Sequence, residues 1–290
     1  MDNKKLLLKL DIVLILTLTS VMLLKKNNNK IKVTSYDYYT DKITDNEEGY
    51  KIIQISDLHN KQFGKKNKFL LNVIKNEAPD IIVTTGDIID NNEHKWSDLL
   101  HFFNKLTKIA PVYWEIGNHE NYMTKARLKK LINELTKIGV IVIDNRYEQI
   151  TENIYLIGIN DNNRADYTLQ NIINKLDTKS LKIALEHRPH LLKHYANQGA
   201  DLVLSGHAHG GQWQIPFIKQ GIFAPDQGIF PKLTTGKHKY KNTTMFISRG
   251  LGGPEKPPRI FNGPEIVKII IKKNRKQVDE KSIYKSSKML

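Results

Sequence analysis

Residues 205–212 read SGHAHGGQ, two imidazoles one residue apart among glycines, at the end of the apolar run DLVLS (201–205). Four other short apolar runs also end in side chains that carry nitrogen or oxygen lone pairs. KIIQIS runs into Asp57-Leu58-His59, DIIVTT into Gly86-Asp87-Ile88-Ile89-Asp90, PVYWEI into Gly117-Asn118-His119-Glu120, and LKIALE into His187. One such ending is commonplace, because a histidine after a strand is usually just a hydrogen-bonded polar residue. Five in succession make a donor set. Asp57, His59, Asp87, Asn118, His187, His207 and His209 supply four imidazoles, two carboxylates and an amide, and no thiolate is available because the chain has no cysteine. A tetrahedral ion uses four donors, so this set suits two ions that share a carboxylate. The His-x-His pair then aims one ring at each ion, and Gly206, Gly210 and Gly211 let the backbone come close. Two dications held in this way activate a water and neutralise an anionic reacting centre.

Such donors must be carried on rigid elements. The β-branched runs 51–56, 80–85, 111–116, 140–144, 153–159, 181–186 and 201–205 read as strands, with helical apolar spacing between most of them: Phe69, Leu70, Val73, Ile74; then Leu99, Phe102, Phe103, Leu106; then Leu128, Leu131, Ile132, Leu135. Strand alternating with helix predicts an α/β protein whose sites lie at the carboxyl ends of parallel strands. Beyond Gly210 the helical spacing stops, and TTMFIS (243–248) and EIVKIII (265–271) predict a β-rich second half.

The chain has 290 residues, a net charge of +15 and lysines spread throughout rather than gathered in one block. That spread describes a solvated surface better than a dedicated polyanion site. Absence of cysteine excludes disulfides, zinc fingers and thiol catalysis. Leu6–Leu24 is an apolar run of nearly bilayer-spanning length between Lys4, Lys5 and Lys25, Lys26, with no small-residue cleavage site after it. It predicts an uncleaved single-span anchor over residues 1–32, followed by a polar linker over 33–49, a folded domain over 50–272 and a basic flexible tail over 273–290. Lysines 25, 26, 30 and 32 outweigh those before the span, but in so lysine-rich a chain they do not fix orientation; an extracytoplasmic body is the working expectation.

D-x-H, G-D-x-x-D, G-N-H-E, a strand-end histidine and G-H-x-H-G-G-Q, in that order, resemble the calcineurin-like metallophosphoesterase superfamily over about residues 50–272. With SRGLG (248–252) and PPRIFNGPEI (257–266), the pattern is similar to the membrane-anchored branch of YkuE- and YaeI-like phosphoesterases. The resemblance implies a four-layer α/β/β/α sandwich. It also implies Asp57, His59 and His209 on one divalent ion, Asn118, His187 and His207 on the other, and Asp87 bridging both. Asp90 would hydrogen-bond His119, the acid or transition-state stabiliser at the leaving group. Glu120 and Gln212 support the site; Arg188 is a candidate phosphate contact and Trp213 a candidate substrate contact. Manganese is the first choice of ion, with iron, zinc or nickel as alternatives.

The implied reaction is hydrolysis of a phosphodiester or pyrophosphate in a lipid-linked or envelope substrate, in the manner of UDP-2,3-diacylglucosamine pyrophosphatases. Asn91, where related protein phosphatases carry arginine, disfavours phosphoproteins, and Ile89, where purple acid phosphatases carry tyrosine, disfavours a redox di-iron centre. Alternatives are a nuclease or phosphomonoesterase of the same superfamily, or a non-catalytic basic envelope-binding protein. The expected partners are the phosphoester substrate and the membrane, with neither nucleic acid nor a protein partner.

Overall fold

The computed structural model of the chain describes residues 29–90, 95–160, 165–215, 217–218, 220–253 and 259–274, with isolated positions between 9 and 19. Most of the expected anchor lies outside the described residues, as does the tail beyond Asn274. Among the described residues no helix is long and apolar enough to cross a membrane, so a transmembrane helix has no support from the fold.

Two six-stranded mixed sheets form the frame. The first is ordered β1 (Lys32–Thr40), β14 (Glu265–Lys273), β2 (Lys51–Ile55), β3 (Ile81–Thr85), β4 (Val112–Glu115) and β5 (Val140–Val142). The second is ordered β12 (Gly236–Tyr240), β13 (Thr243–Ile247), β9 (Leu202–Ser205), β8 (Leu181–Leu185), β7 (Ile154–Gly158) and β6 (Arg146–Gln149). Strands β2 to β5 run parallel in the first sheet, and β13, β9, β8 and β7 run parallel in the second. A short hairpin of β10 (Phe223–Ala224) and β11 (Gly228–Ile229) stands apart from both.

Strand alternation divides the apolar side chains among three cores. Ile52, Val83, Ile183, Leu185, Leu204 and Val267 fill the space between the sheets. Ile53, Ile55 and Ile82 point the other way, toward α1 (Lys68–Asn76), α2 (Ser97–Leu106) and, beyond the single turn α3 (Asn118–Asn121), α4 (Lys125–Lys137), through Leu70, Ile74, Phe102, Phe103, Leu131 and Leu135. On the far side Ala184, Val203 and Met245 meet Leu169 and Ile172 of α5 (Ala165–Ile173) and Tyr195 of α6 (Leu192–Gln198). The result is helix, sheet, sheet, helix. Helix ends are set locally: Thr124 accepts a hydrogen bond from Arg127 N at 3.4 Å to start α4, and Gly199, at φ 93°, ends α6.

Residues 33–49 are not the flexible linker that their polarity suggests. β1 pairs in parallel with β14 from Lys32↔Glu265 to Thr40↔Lys273. Its threonines and tyrosines favour strand, Tyr36 stacks on Phe246 at 4.6 Å, and Lys32, Ser35 and Asp37 are exposed on this edge strand. β6 and β12, also edge strands with polar outward positions, likewise have no counterpart among the expected strands. After β1 a turn at Asp45–Glu47 buries Glu47, whose carboxylate accepts from Thr44 N (2.8 Å) and Asn153 N (2.9 Å) and so ties the first sheet to the second.

Candidate metal centre

All seven donors named above leave the carboxyl ends of parallel strands. Asp57 and His59 follow β2, Asp87 follows β3, Asn118 follows β4, His187 follows β8, and His207 and His209 follow β9. Gln54 fastens the two sheets at this edge, its Nε2 donating to Thr85 Oγ1 and to the Ser205 carbonyl, both at 2.9 Å. Where β2 and β9 meet there is no room for a side chain: a Cβ on Gly206 would lie 1.9 Å from Ser56 Oγ. Asp57, His59, Asp87, His207 and His209 all hold positive φ, between 46° and 65°. A non-glycine residue there costs about 1–2 kcal/mol, and such strain collects where geometry serves function.

The donors form groups around Asp87. Asp57, His59 and His209 offer ligand atoms within 4.8 Å of one another, as do Asp87, His187 and His207. Asp87 Oδ2 stands between, 3.7 Å from His59 Nε2 and 3.2 Å from His187 Nε2. The Asn118 Oδ1 joins the second group at 2.9 Å from His187 Nε2.

Outer contacts fix which nitrogen of each ring faces inward. His187 Nδ1–H donates to the Thr85 carbonyl at 2.8 Å, leaving Nε2 inward. His59 Nδ1–H donates to Asp90 Oδ1 at 2.8 Å, again leaving Nε2. His207 is reversed: Nε2–H donates to Asp226 Oδ2 at 2.8 Å, and Nδ1 faces His187 Nε2 at 3.1 Å. Asp57 is held by Ser56 Oγ (2.6 Å) and His207 N (3.0 Å), and buried Arg259 places Nη2 3.2 Å from His209 Nδ1. Glu120 accepts from the backbone N–H groups of Asp87, Ile88, Ile89 and Gly117, clamping two donor loops together.

The residues fit divalent cations. His59 Nε2 is buried with no hydrogen-bond partner. Burial and the neighbouring Asp87 charge raise the pKa of Asp57, and although burial opposes it, Asp87 and Asp57 raise that of His187 well above its ordinary value. Buried negative charge thus draws in positive charge. Burial, with His59 and Arg259 beside it, keeps His209 neutral, as a ligand must be, and His207 is pushed down to about 3 by burial and His187.

His119 sits at the rim, its ring edge-on to His59 at 4.6 Å. Its Nδ1 is 3.3 Å from Asp90 Oδ1 without an aligned hydrogen bond, so Asp90 bonds His59 and holds His119 mainly by charge. That carboxylate raises the His119 pKa against the opposing effect of burial. Arg188, the candidate phosphate contact, pairs with Asp226 beside His207. Trp213 is part-exposed next to the His209 turn, whereas Trp114 is fully buried packing. Sequence reasoning missed Asp226 and Arg259. Asp226 lies in a turn with no motif spacing to His207, and nothing short of the folded loop could have marked it.

An α/β/β/α sandwich with nitrogen and oxygen donors gathered at its strand ends defines a metal-dependent phosphoesterase. Residues 50–211, more than half of the chain, match the calcineurin-like phosphoesterase family, and the protein belongs to that family. Family members use a dinuclear metal site and hydrolyse phosphoesters. The chain is similar to an uncharacterized metallophosphoesterase of Aquifex aeolicus, 30% identical over 83% of this chain and 92% of that one. It is also similar to the uncharacterized metallophosphoesterase YkuE of Bacillus subtilis, 27% identical over 83% and 86%. A third relative is the UDP-2,3-diacylglucosamine pyrophosphatase LpxG of Chlamydia muridarum, 25% identical over 82% of this chain and 88% of that one.

Proposed function

We propose that the protein hydrolyses a phosphodiester or pyrophosphate bond in a lipid-linked or envelope substrate. The observation that carries this reading is the placement of Asp87 between two groups of buried donors. Asp57, His59 and His209 would hold one divalent ion, manganese first, Asn118, His187 and His207 would hold the other, and Asp87, close to both groups, would serve both. When bound, the ions supply a water of lowered pKa and neutralise the phosphoryl oxygens. His119, kept protonated by Asp90, gives its proton to the departing oxygen. Asp226 and Asp90 hold the rings of His207 and His59 in ligating orientation. Similarity to a pyrophosphatase of a diacylated sugar nucleotide supports the lipid-linked substrate class.

The test uses the full chain stripped with chelator and assayed on bis(p-nitrophenyl) phosphate and p-nitrophenyl phosphate, with Mn, Zn, Mg or Ni returned. Metal-dependent turnover of the diester that disappears in Asp87→Asn is expected. A folded protein inactive with every metal would transfer weight to a basic envelope-binding protein.

A further inference from the structure

The hairpin that touches the metal centre also carries apolar side chains out into solvent. Asp226, in the turn between β10 and β11, holds His207, while Phe223 and Ile229 are directly paired on the two strands and face outward, Ile229 being 73% exposed. Phe230, next to Ile229, is also exposed. Ile222 N donates to the Gly211 carbonyl at 3.1 Å, fixing the hairpin to the His209 turn. Pro231, next in the chain, lines a neighbouring cavity of about 540 Å³, where Phe217, Ile218 and Phe261 stand with Lys32 and Lys232. Phe217 is wholly exposed. A run of this extent beside a site marks a docking face rather than scattered surface residues.

Two observations select the occupant. Lys32 lines the cavity and opens β1, so the segment containing the apolar run 6–24 joins the fold at this rim. Lys32 and Lys232 have no carboxylate partner among the described residues, while the cavity's Arg249 and Glu265 pair with each other at 2.8 Å. Aromatic side chains with flanking lysines suit the boundary between anionic headgroups and acyl chains.

We propose that this rim docks onto an anionic bilayer, with Phe217, Ile218, Phe223, Ile229, Phe230 and Phe261 entering the interface and Lys32 and Lys232 meeting headgroup phosphates. The metal centre then faces the membrane surface, within reach of phosphoesters whose acyl chains stay in the bilayer. The inference rests on the lipid-linked reading for its purpose and on the exposed rim for its evidence.

Because the chain lacks cysteine, single labels are clean. The full chain carrying a nitroxide at Phe217→Cys, Ile229→Cys or Lys179→Cys is mixed with phosphatidylcholine vesicles, with and without phosphatidylglycerol. Lys179 is exposed just before β8, at the end of that strand opposite His187. With anionic vesicles the labels at 217 and 229 gain collisions with oxygen and lose them with a water-soluble nickel complex, several-fold, while the label at 179 does not change. Labels that stay in water on protein bound to anionic vesicles overturn the proposal. Labels already shielded before vesicles are added also overturn it, assigning the rim to the chain's own apolar run, or to a second copy if spin–spin broadening appears. Equal depth in neutral vesicles removes the role of the two lysines. Diester turnover is measured on the unlabelled chain, so its absence alongside membrane-buried labels sinks hydrolysis and leaves docking standing.

Discussion

Asp90 bonds the His59 ring and supplies the charge that favours His119 as imidazolium. The sign of the pH effect follows. A raised His119 pKa keeps the acid protonated above its ordinary value of 6.5, and activity falls as pH rises through the shifted pKa. Asp90→Asn retains an oxygen for His59 Nδ1–H but removes the charge, so the alkaline limb of kcat moves to lower pH; a pH–rate profile on a diester reads it. His119→Ala, measured alongside, should lower kcat by about 10²–10⁴-fold with metal content unchanged. Asp226 acts differently, because its carboxylate sets the orientation of a ligand. Burial pushes its pKa up, but Arg188 and His207 hold it below the ordinary range, so it stays ionised. Asp226→Ala is expected to weaken binding of the second ion by about 10–100-fold, as measured by titration calorimetry and metal content, with Asp226→Asn in between.

Among elements, the connection from β1 to β2 ties the first sheet to the second through Glu47. Burial would raise the pKa of Glu47, but hydrogen bonds from Thr151, Thr44 and Asn153 bring it down to about 2 from an ordinary 4.5. Its contribution is therefore complete above about pH 4.5 and lost as pH falls toward 2. Glu47→Gln should destabilise by about 1–3 kcal/mol near neutral pH, and in urea unfolding curves the difference from the parent should shrink through that acid window. The β1 strand itself was hidden from sequence reading. KVTSYDYYT alternates tyrosines with polar residues, and an edge strand exposes one side of that alternation, so its composition resembles a tether.

At the scale of the molecule, the proposed metal centre gathers buried carboxylates and imidazoles whose charge bound divalent cations would balance. Binding to the folded state alone stabilises by about 2.7 kcal/mol when free ion exceeds Kd by about 100-fold. For a domain of this size that is about 5–10 °C in Tm. Thermal unfolding of the chelated chain, repeated with manganese returned, should show that rise, and Asp87→Asn should blunt it.

The buried parallel strands were legible because strands covered on both faces are apolar throughout, as in IIVTT of β3 and LKIAL of β8. The seven candidate donors stood out for a related reason: each lies within a few residues of the end of such a run, where the polarity change marks the strand end. What the sequence did not determine is whatever depends on distant segments meeting. Asp226 reaches His207 only because the β10–β11 hairpin folds back over the site, and Asp90 serves two rings only because β3 lies between β2, which leads to His59, and β4, which leads to His119. The apolar rim is likewise a tertiary fact, since only the packed fold leaves Phe217, Phe230 and Phe261 outside. Local composition determines which residues make strands and which can bind a cation, but which of them meet, and which stay in water, is decided by long-range packing.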